Sequence, residues 1–427
     1  MGTPDDLKPG SSAIRFIPLT YNNAESQTSA LRLILALKPE WDQADGKIEF
    51  IRFTDGITNT LLKAVNKRPG LTDEEIDNEA VLLRAYGKGT DLIIDRERER
   101  QNHELLMQYD LAPALLGRFH NGMLYKFIRG SVTSPADLRK PPIWRGVAKR
   151  LAEWHARVPC IPASREPLQQ QISGSADFGL PAPTASKKDP ALQAAIDQVA
   201  PGKIAPNMWT VMQKWIYALP TGTDAQKARQ AQLQQELTRL VEEFSNRSGL
   251  GENSLVFAHC DLLSGNVIVA PRAVRDATPE VETVSFIDYE YAVPSPAAFD
   301  IANHFAEWGG FDCDFNVLPT RSQRQDFLRE YIKSYYAHLG GQAAQHDAEH
   351  EASQLFDEVD LFRGIPGFYW GIWALIQATI SQIDFDYASY AEVRLGEYFA
   401  WRAESDGSRA ASGAEAPLRE RRWAQEA

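Results

Sequence analysis

The stretch SLVFAHCDLLSGNVIVA places His259, Asp261 and Asn266 between two strand-like segments, and the next apolar segment, VSFID, ends in Asp288. Polar groups in such company are costly unless a structure or a reaction holds them there. Asp261 and Asn266 share one loop, and two neighbouring strands would bring that loop beside Asp288. Asn266 and Asp288 then offer an amide oxygen and a carboxylate to a hard cation, which prefers oxygen ligands. Asp261 remains to orient an attacking hydroxyl. A metal bridging phosphates and a positioned base are the parts that phosphoryl transfer requires. His259 is placed to hold the loop by hydrogen bonds to its backbone. The competing explanation is a plain turn between strands, where Asp and Asn are both common. HxDxxxxN alone does not decide between the two. The helix before it, Asp288 after it and the lobe upstream favour chemistry.

Residues 1–130 read as a nucleotide-binding lobe. IRFIPL and IEFIRFTDGITNTLLKAVN show β-type alternation, with TSALRLILALKP between them as a helix. AVLLRA (80–85) is a short apolar strand, LIIDRERERQNHELLMQYDL a strand or turn running into a helix, and MLYKFIRG (123–130) a further strand. TDGITN (54–59) puts Gly56 between two strands, where a backbone could approach phosphates. A lone glycine turn is more often structural. Arg84 lies inside an apolar strand, and a buried charge wants a partner. Glu99 on the following helix is the candidate, in the manner of the cation–glutamate pair of kinases. The alternative is a surface arginine on an edge strand.

Residues 131–402 read as a catalytic and substrate-binding lobe. PPIWRGVAKRLAEWHARV spaces Ile143, Val147, Leu151 and Trp154 as a helix would. Residues 160–205, rich in Pro, Ser, Ala and Gln, read as a loop-rich insertion with at most one short helix. AQKARQAQLQQELTRLVEEF carries the stripe Leu233, Leu237, Leu240, Val241 and Phe244. The chain after VSFID is largely helical, and 403–427 reads as a disordered tail. Trp370, Trp373 and Gln377 share one helix face. Such aromatics are more often core than ligand cage. Acidic partners shift that balance, because an ammonium over an aromatic face gains about 0.5–2 kcal/mol. A carboxylate such as Glu307 adds charge-assisted hydrogen bonds.

A chain of 427 residues that is 44% hydrophobic has ample material for one large or two ordinary domains. Its net charge of −12 argues against nucleic acid or an anionic membrane as a partner. Cys160, Cys260 and Cys313 form no CxxC pair and no metal spacing, which reads as a reducing, cytoplasmic setting. The start, MGTPDDLKPG, lacks an apolar leader, and no apolar run is long enough to span a bilayer.

HCDLLSGNVIV followed by FIDYEYAVPSPAAFDIANHFAEW resembles the choline/ethanolamine kinase family, whose fold is like that of protein kinases. GITNTLL and VLLRAYG resemble its phosphate loop and nucleotide-cation strand, and residues 368–399 its substrate-pocket region. The resemblance runs from 48 to 399 with gaps over 160–205, and FTDGITN and DLLSGN look closer to the ethanolamine-using members. It implies an α+β, two-lobed protein-kinase-like fold, with a small β-rich N-lobe and a larger, mostly helical C-lobe. It implies transfer of the γ-phosphate of ATP, with Mg2+, to the hydroxyl of ethanolamine. The product would be phosphoethanolamine, at the first step of the CDP-ethanolamine route to phosphatidylethanolamine. Carried over residue by residue, Asp261 is the catalytic base, and Asn266 and Asp288 bind magnesium. Gly56, Thr58 and Asn59 belong to the phosphate loop. Arg84 contacts the ATP phosphates and pairs with Glu99, and the backbone of Lys126 to Ile128 meets adenine. Glu290 lies near the metal, Glu307 faces the substrate amine, and Trp370, Trp373, Phe385 and Tyr390 line its pocket.

Choline, or both amines, is the alternative substrate within the family. An aminoglycoside-phosphotransferase-like enzyme and a catalytically inactive, ligand-binding pseudokinase are the more distant readings. Family members often pair, so a homodimer stays open. Two departures stand out: Cys260 replaces the usual asparagine and puts a candidate reactive thiol near the site, and 160–205 is longer and less regular than the family implies.

Overall fold

The structure, a computed structural model, describes residues 14–43, 45–53, 59–87, 89–160, 190–200, 202–203, 206–272, 280–339, 347–381 and 383–427. Gly56 and Thr58 of the expected phosphate loop lie outside the described residues, as do residues 161–189 of the expected insertion. The chain divides into two units, Met1–Thr90 with Ala112–Arg129, and Asp91–Leu111 with Gly130–Ala427.

The first unit is built on a six-stranded sheet. Its elements are β1 (Phe16–Ile17), α1 (Ser26–Leu37), β2 (Lys47–Phe53), β3 (Asn59–Lys67), α2 (Asp73–Glu79), β4 (Val81–Tyr86), β5 (Leu115–Phe119) and β6 (Gly122–Lys126). The strand order is β1-β5-β6-β4-β3-β2, parallel only between β1 and β5. Ala30, Leu33 and Ile34 fall at i, i+3 and i+4 on α1 and pack with Leu62, Ala64, Val81, Leu83 and Leu124 of the sheet. The run TDEE starts α2 through a reciprocal Thr72–Glu75 capping box. β4 is an interior strand, with Arg84 opposite Leu61 on one side and Met123 on the other. That excludes the edge-strand reading of Arg84. A Cβ on Gly122 would lie 2.1 Å from the Arg84 carbonyl oxygen, so this approach of β6 to β4 requires glycine.

The second unit opens with α3 (Arg96–Gln108), capped by Asp95, whose carboxylate accepts from the Arg98 N–H at 3.1 Å. Then follow β7 (Ser131–Val132), α4 (Pro135–Leu138), α5 (Pro141–Arg157), α6 (Pro190–Val199), α7 (Met208–Ala218) and α8 (Asp224–Phe244). Four short strands come next: β8 (Val256–Ala258), β9 (Val267–Val269), β10 (Val284–Phe286) and β11 (Val293–Ser295). The rest is helical: α9 (Ala297–Ala306), α10 (Arg321–Leu339), α11 (Ala348–Phe362), α12 (Ile365–Ile380), α13 (Tyr387–Ser405), α14 (Ser408–Ser412) and α15 (Leu418–Ala424). β9 lies between β10 and β7, whereas β8 pairs with β11. HCDLLSGN therefore passes from one small sheet to another and is not a hairpin turn.

The expected α+β division into a β-rich unit and a mostly helical one is present, with one change of boundary. Residues 91–111, expected in the N-terminal lobe, belong to the helical unit. The cause is polar anchoring: Asn102 donates to the carbonyls of Tyr289 (3.3 Å) and Ala292 (2.8 Å), and Arg96 pairs with Glu290 at 3.2 Å. The predicted stripes of α5 and α8 are buried, but α7 was not legible. MWTVMQKWIYA buries seven positions, polar Thr210 and Gln213 among them, and exposes Tyr217, so its polarity does not mark the buried face.

The tail corrects a second expectation. Residues 403–427 are helical over α14 and α15, and Trp423 is 3% exposed. The carbonyls of Gln425 and Glu426 accept from the N–H groups of Arg321 (2.8 Å) and Ser322 (3.0 Å), satisfying donors in the first turn of α10. Low-complexity composition hid a segment buried by partners distant in sequence, among them Glu397, Arg363 and Asp360. Among the described residues, no helix is long and apolar enough to cross a membrane.

Candidate active site

Asp300 on α9 organises the loop that carries Asp261. Its Oδ2 accepts from the His259 N–H at 2.8 Å and its Oδ1 from the Cys260 N–H at 2.7 Å. The His155 ring joins Oδ2 at 3.0 Å and the Tyr331 hydroxyl at 2.6 Å. Burial alone would raise the Asp300 carboxyl, but His155 and the donors from His259 hold it below the ordinary range. The next turn of α9 adds two straps. Asn303 donates to the Cys260 carbonyl at 3.1 Å, and His304 Nδ1 meets the Leu262 carbonyl at 2.9 Å. Asp300, Asn303 and His304 stand at i, i+3 and i+4, so one helix face clamps the loop.

The clamp holds an uncommon backbone. Cys260 has φ +62° and Asp288 φ +65°, left-handed conformations that cost a non-glycine residue about 1–3 kcal/mol and persist only where surroundings impose them. His259 performs the role its position suggested: Nε2 lies 3.0 Å from the Ile287 carbonyl, and Nδ1 accepts from the Asp261 N–H at 3.3 Å. Burial holds its ring below the usual imidazole pKa. β10 pairs with β9 in antiparallel register, Phe286 opposite Val267, and the Ile287 N–H donates to the Asn266 carbonyl at 3.0 Å. Asp288 is therefore carried beside Asn266, two residues beyond the strand end.

The Asn266 side-chain amide donates to the Asp261 carbonyl (2.7 Å) and to Asp261 Oδ2 (3.1 Å). Its hydrogens are thus used within the loop, leaving the amide oxygen as its ligand atom. Together with the Asp288 carboxylate this is an all-oxygen donor set, too small to hold a cation alone among the described residues. It fits magnesium, which takes one or two protein oxygens and completes its shell with phosphates and water. Burial first, then Asp288, Glu307 and Glu290, push the Asp261 carboxyl well above the ordinary range. A cation in this field would oppose that shift.

The residues expected to line a pocket lie along one aromatic wall. Ring centroids run Tyr291–Trp370 at 5.4 Å, Trp370–Trp373 at 5.5 Å, Trp373–Tyr387 at 5.7 Å, Tyr387–Phe385 at 4.8 Å and Phe385–Tyr390 at 5.6 Å. Trp370 Nε1 donates to Asn303 Oδ1 at 2.7 Å, and Trp373 Nε1 to the Tyr291 hydroxyl at 2.8 Å. Asn303 thus ties the wall to the loop of Asp261. Glu307, buried, sits 3.4 Å from the Arg394 guanidinium, and burial raises its carboxyl although Arg394 opposes this. A cavity of about 290 Å³ opens beside Glu290 and Tyr291, with Arg98, Trp215 and Tyr369 also in its lining.

Sequence reasoning missed Asp300, Asn303, His304, Tyr291, Tyr387 and Arg394. The DxxNH spacing within FDIANHFAEW was the available signal for the first three. The concern over Cys260 is corrected: its thiol is fully buried, 3.3 Å from Ser295 Oγ, and burial pushes its pKa well up. Such a thiol is packing, not a reactive group.

In the sheet unit, Arg84 is 4% exposed, and Asn59 begins β3 opposite Tyr86. The N–H groups of Lys126 and Phe127 donate to the Ala114 (2.9 Å) and Ala80 (3.1 Å) carbonyls, so they serve the sheet. Glu99 belongs to the helical unit, where it pairs with Arg96 at 2.9 Å.

The family model described as choline/ethanolamine kinase matches residues 50–399. Ethanolamine kinase 1 of Mus musculus is 31% identical over 93% of this chain and 96% of its own length. The probable ethanolamine kinase of Nematostella vectensis is 32% identical over 88% and 93%. Among solved structures, the Plasmodium vivax ethanolamine kinase superposes with a TM-score of 0.64 at 26% identity, covering 88% of this chain and 89% of that one. A Cryptosporidium parvum choline kinase shares the fold, with a TM-score of 0.55 at 20% identity over 89% and 97%. With a buried aspartate clamped over an amide–carboxylate pair and the family match across this whole region, the chain belongs to the choline/ethanolamine kinases, ATP-dependent phosphotransferases.

Proposed function

We propose that the protein phosphorylates ethanolamine, with Asp261 as the base. The observation that carries this reading is the company Asp261 keeps: a field of carboxylates and an aromatic wall joined to its loop through Asn303. That environment suits a small cation bearing a hydroxyl. Asp261 takes the hydroxyl proton as the oxygen bonds to the γ-phosphorus and the bond to the β-phosphate oxygen breaks, releasing ADP. Asn266 steadies one Asp261 oxygen at 3.1 Å and leaves the other for the substrate. Asn266 and Asp288 are the residues to hold magnesium, which offsets charge on the transferring group.

Ethanolammonium carries three N–H donors, and Glu307 is the acceptor proposed for them. Trp370, Trp373, Phe385 and Tyr390 give its charge aromatic faces. For the nucleotide, Asn59, Arg84, Glu99 and the backbone from Lys126 to Ile128 are proposed. Choline is the second reading, favoured by the extent of the aromatic wall, because a quaternary ammonium relies on such faces and on charge alone.

The test is ADP release from MgATP with ethanolamine, choline or no amine, in wild type, Asp261→Asn and Asp288→Ala. The expected result is an ethanolamine-dependent rate above that with choline, lost in both variants while thermal unfolding stays cooperative. Turnover near wild type in either variant would remove the mechanism. A larger rate with choline would change the substrate and keep the chemistry.

A further inference from the structure

Glu307 is the first member of a buried row of alternating charges that runs through the C-terminal helix. Arg394 lies 3.4 Å from Glu307 and 3.5 Å from Glu397. Arg419, on α15, lies 3.4 Å from Glu397 and 2.9 Å from Glu420. Arg363, at the α11–α12 junction, closes the row at 2.9 Å from Glu420. The side chains of Arg394, Glu397, Arg419 and Glu420 are all 5% exposed or less. At that burial, removing one charge leaves its neighbour uncompensated. The members are therefore coupled, and each fixes the geometry of the next.

We propose that Arg419 is a positioning residue for the amine pocket, acting through Glu397 and Arg394 on the carboxylate of Glu307. Arg419 and Arg394 share Glu397. With Arg419 in place, Glu397 draws on two guanidinium groups, and Arg394 keeps its hold on Glu307 Oε1. Glu307 Oε2 is then presented in one orientation to the substrate ammonium. Without Arg419, the uncompensated Glu397 draws Arg394 to itself, and Glu307 loses the partner that orients it. Arg394 also faces the Tyr390 ring at 5.8 Å, so its displacement disturbs the aromatic wall at the same point. α15 has anchors besides the row: Trp423 Nε1 donates to Asp360 at 2.8 Å and its ring stacks under Arg324 at 4.0 Å. The helix is thus a fixed post from which Arg419 reaches the pocket network.

This inference rests on Glu307 as the amine acceptor, so the experiment separates the two claims. Steady-state kinetics are measured for wild type, Glu307→Gln, Arg419→Ala, Arg419→Lys and Glu397→Gln, varying ethanolamine, choline and MgATP in turn. In Arg419→Ala the ethanolamine KM is expected to rise about tenfold, the equivalent of roughly one charge-assisted hydrogen bond, whereas Glu397→Gln, which removes the carboxylate that would draw Arg394 away, should leave it near wild type. The choline KM should move less, because choline has no N–H to present, and the ATP KM should hold. Arg419→Lys should recover part of the loss, since it restores the charge without the planar fork. A merely structural role would lower the yield of folded enzyme and leave the KM of the active fraction unchanged. If Arg419→Ala does not fold, Arg419→Gln, closer in size and uncharged, carries the test. Unchanged ethanolamine KM in the folded Arg419 variant, a rise as large in Glu397→Gln, or equal rises for ethanolamine and ATP, would overturn the proposal. Glu307→Gln with an unchanged ethanolamine KM would instead overturn the assignment of Glu307.

Discussion

Asp300→Asn is the substitution that most directly tests how the loop of Asp261 is held. The carboxylate receives the backbone N–H groups of His259 and Cys260 on different oxygens, and His155 shares Oδ2. An asparagine has one acceptor oxygen. Placed at Oδ2 it keeps His259 and His155, and its NH2 then faces the Cys260 N–H, donor against donor. An orphaned buried donor costs about 1–3 kcal/mol. The two surviving bonds lose their charge assistance, which roughly halves them and removes about another 1–2 kcal/mol. The sum, about 2–5 kcal/mol, falls on the left-handed Cys260 next to Asp261. Two readouts follow. Thermal unfolding should shift down by roughly 4–10 °C, at about 2 °C per kcal/mol for a large unit. Ethanolamine-dependent kcat should fall by about 10²-fold, the effect of misplacing a reacting group by about 1 Å. The stability gap should also depend on pH. Asp300 has a depressed folded-state pKa, so its contribution is present above the unfolded value near 3.8 and is lost as pH falls through the lower folded value. Wild type and variant should therefore differ by a constant amount from pH 6 to 8 and converge in acid. A variant with kcat within threefold of wild type and an unshifted melting temperature would refute the clamp.

His304 is held down to about 4 by burial, against an unfolded value of 6.5. The unfolded chain binds the extra proton first, so wild-type stability should decline as pH falls from 6.5 to about 4, and His304→Gln should show a flatter curve in pH-dependent melts. Gly367→Ala should destabilise by about 1–3 kcal/mol although alanine is the better helix former, because its Cβ would sit 2.5 Å from the Arg394 carbonyl oxygen at the α12–α13 contact. A stabilised variant would mean the helices are not packed this closely. Trp423→Ala should cost about 3–5 kcal/mol, read by denaturant unfolding. No loss would return residues 403–427 to the disorder their composition suggested.

What was legible in the sequence divides by the range of the interactions involved. Asp261, Asn266 and Asp288 were readable because their types and order already state a chemistry, and β9 and β10, which bring them together, are consecutive strands. The stripes of α5 and α8 were readable because a one-sided period is a local signal. β5, α2 and α7 were not read, the last because Thr210 and Gln213 sit on its buried face while Tyr217 is exposed, so polarity does not mark which side is buried. The clamp was half visible: FDIANHFAEW stood out, but only the structure assigns Asp300 to two backbone N–H groups forty positions upstream. The tail shows the limit most clearly. Arg419, Glu420 and Trp423 sit in a run that any local window scores as polar and low in complexity. Each is buried by a partner elsewhere: Glu397, Arg363 and Asp360. Composition reports whether a segment can bury itself, and this one is buried by others. The same long-range pairing that hid the tail from the sequence is what connects it to Glu307, so the segment with the weakest signal holds Arg419, the residue proposed to position that carboxylate.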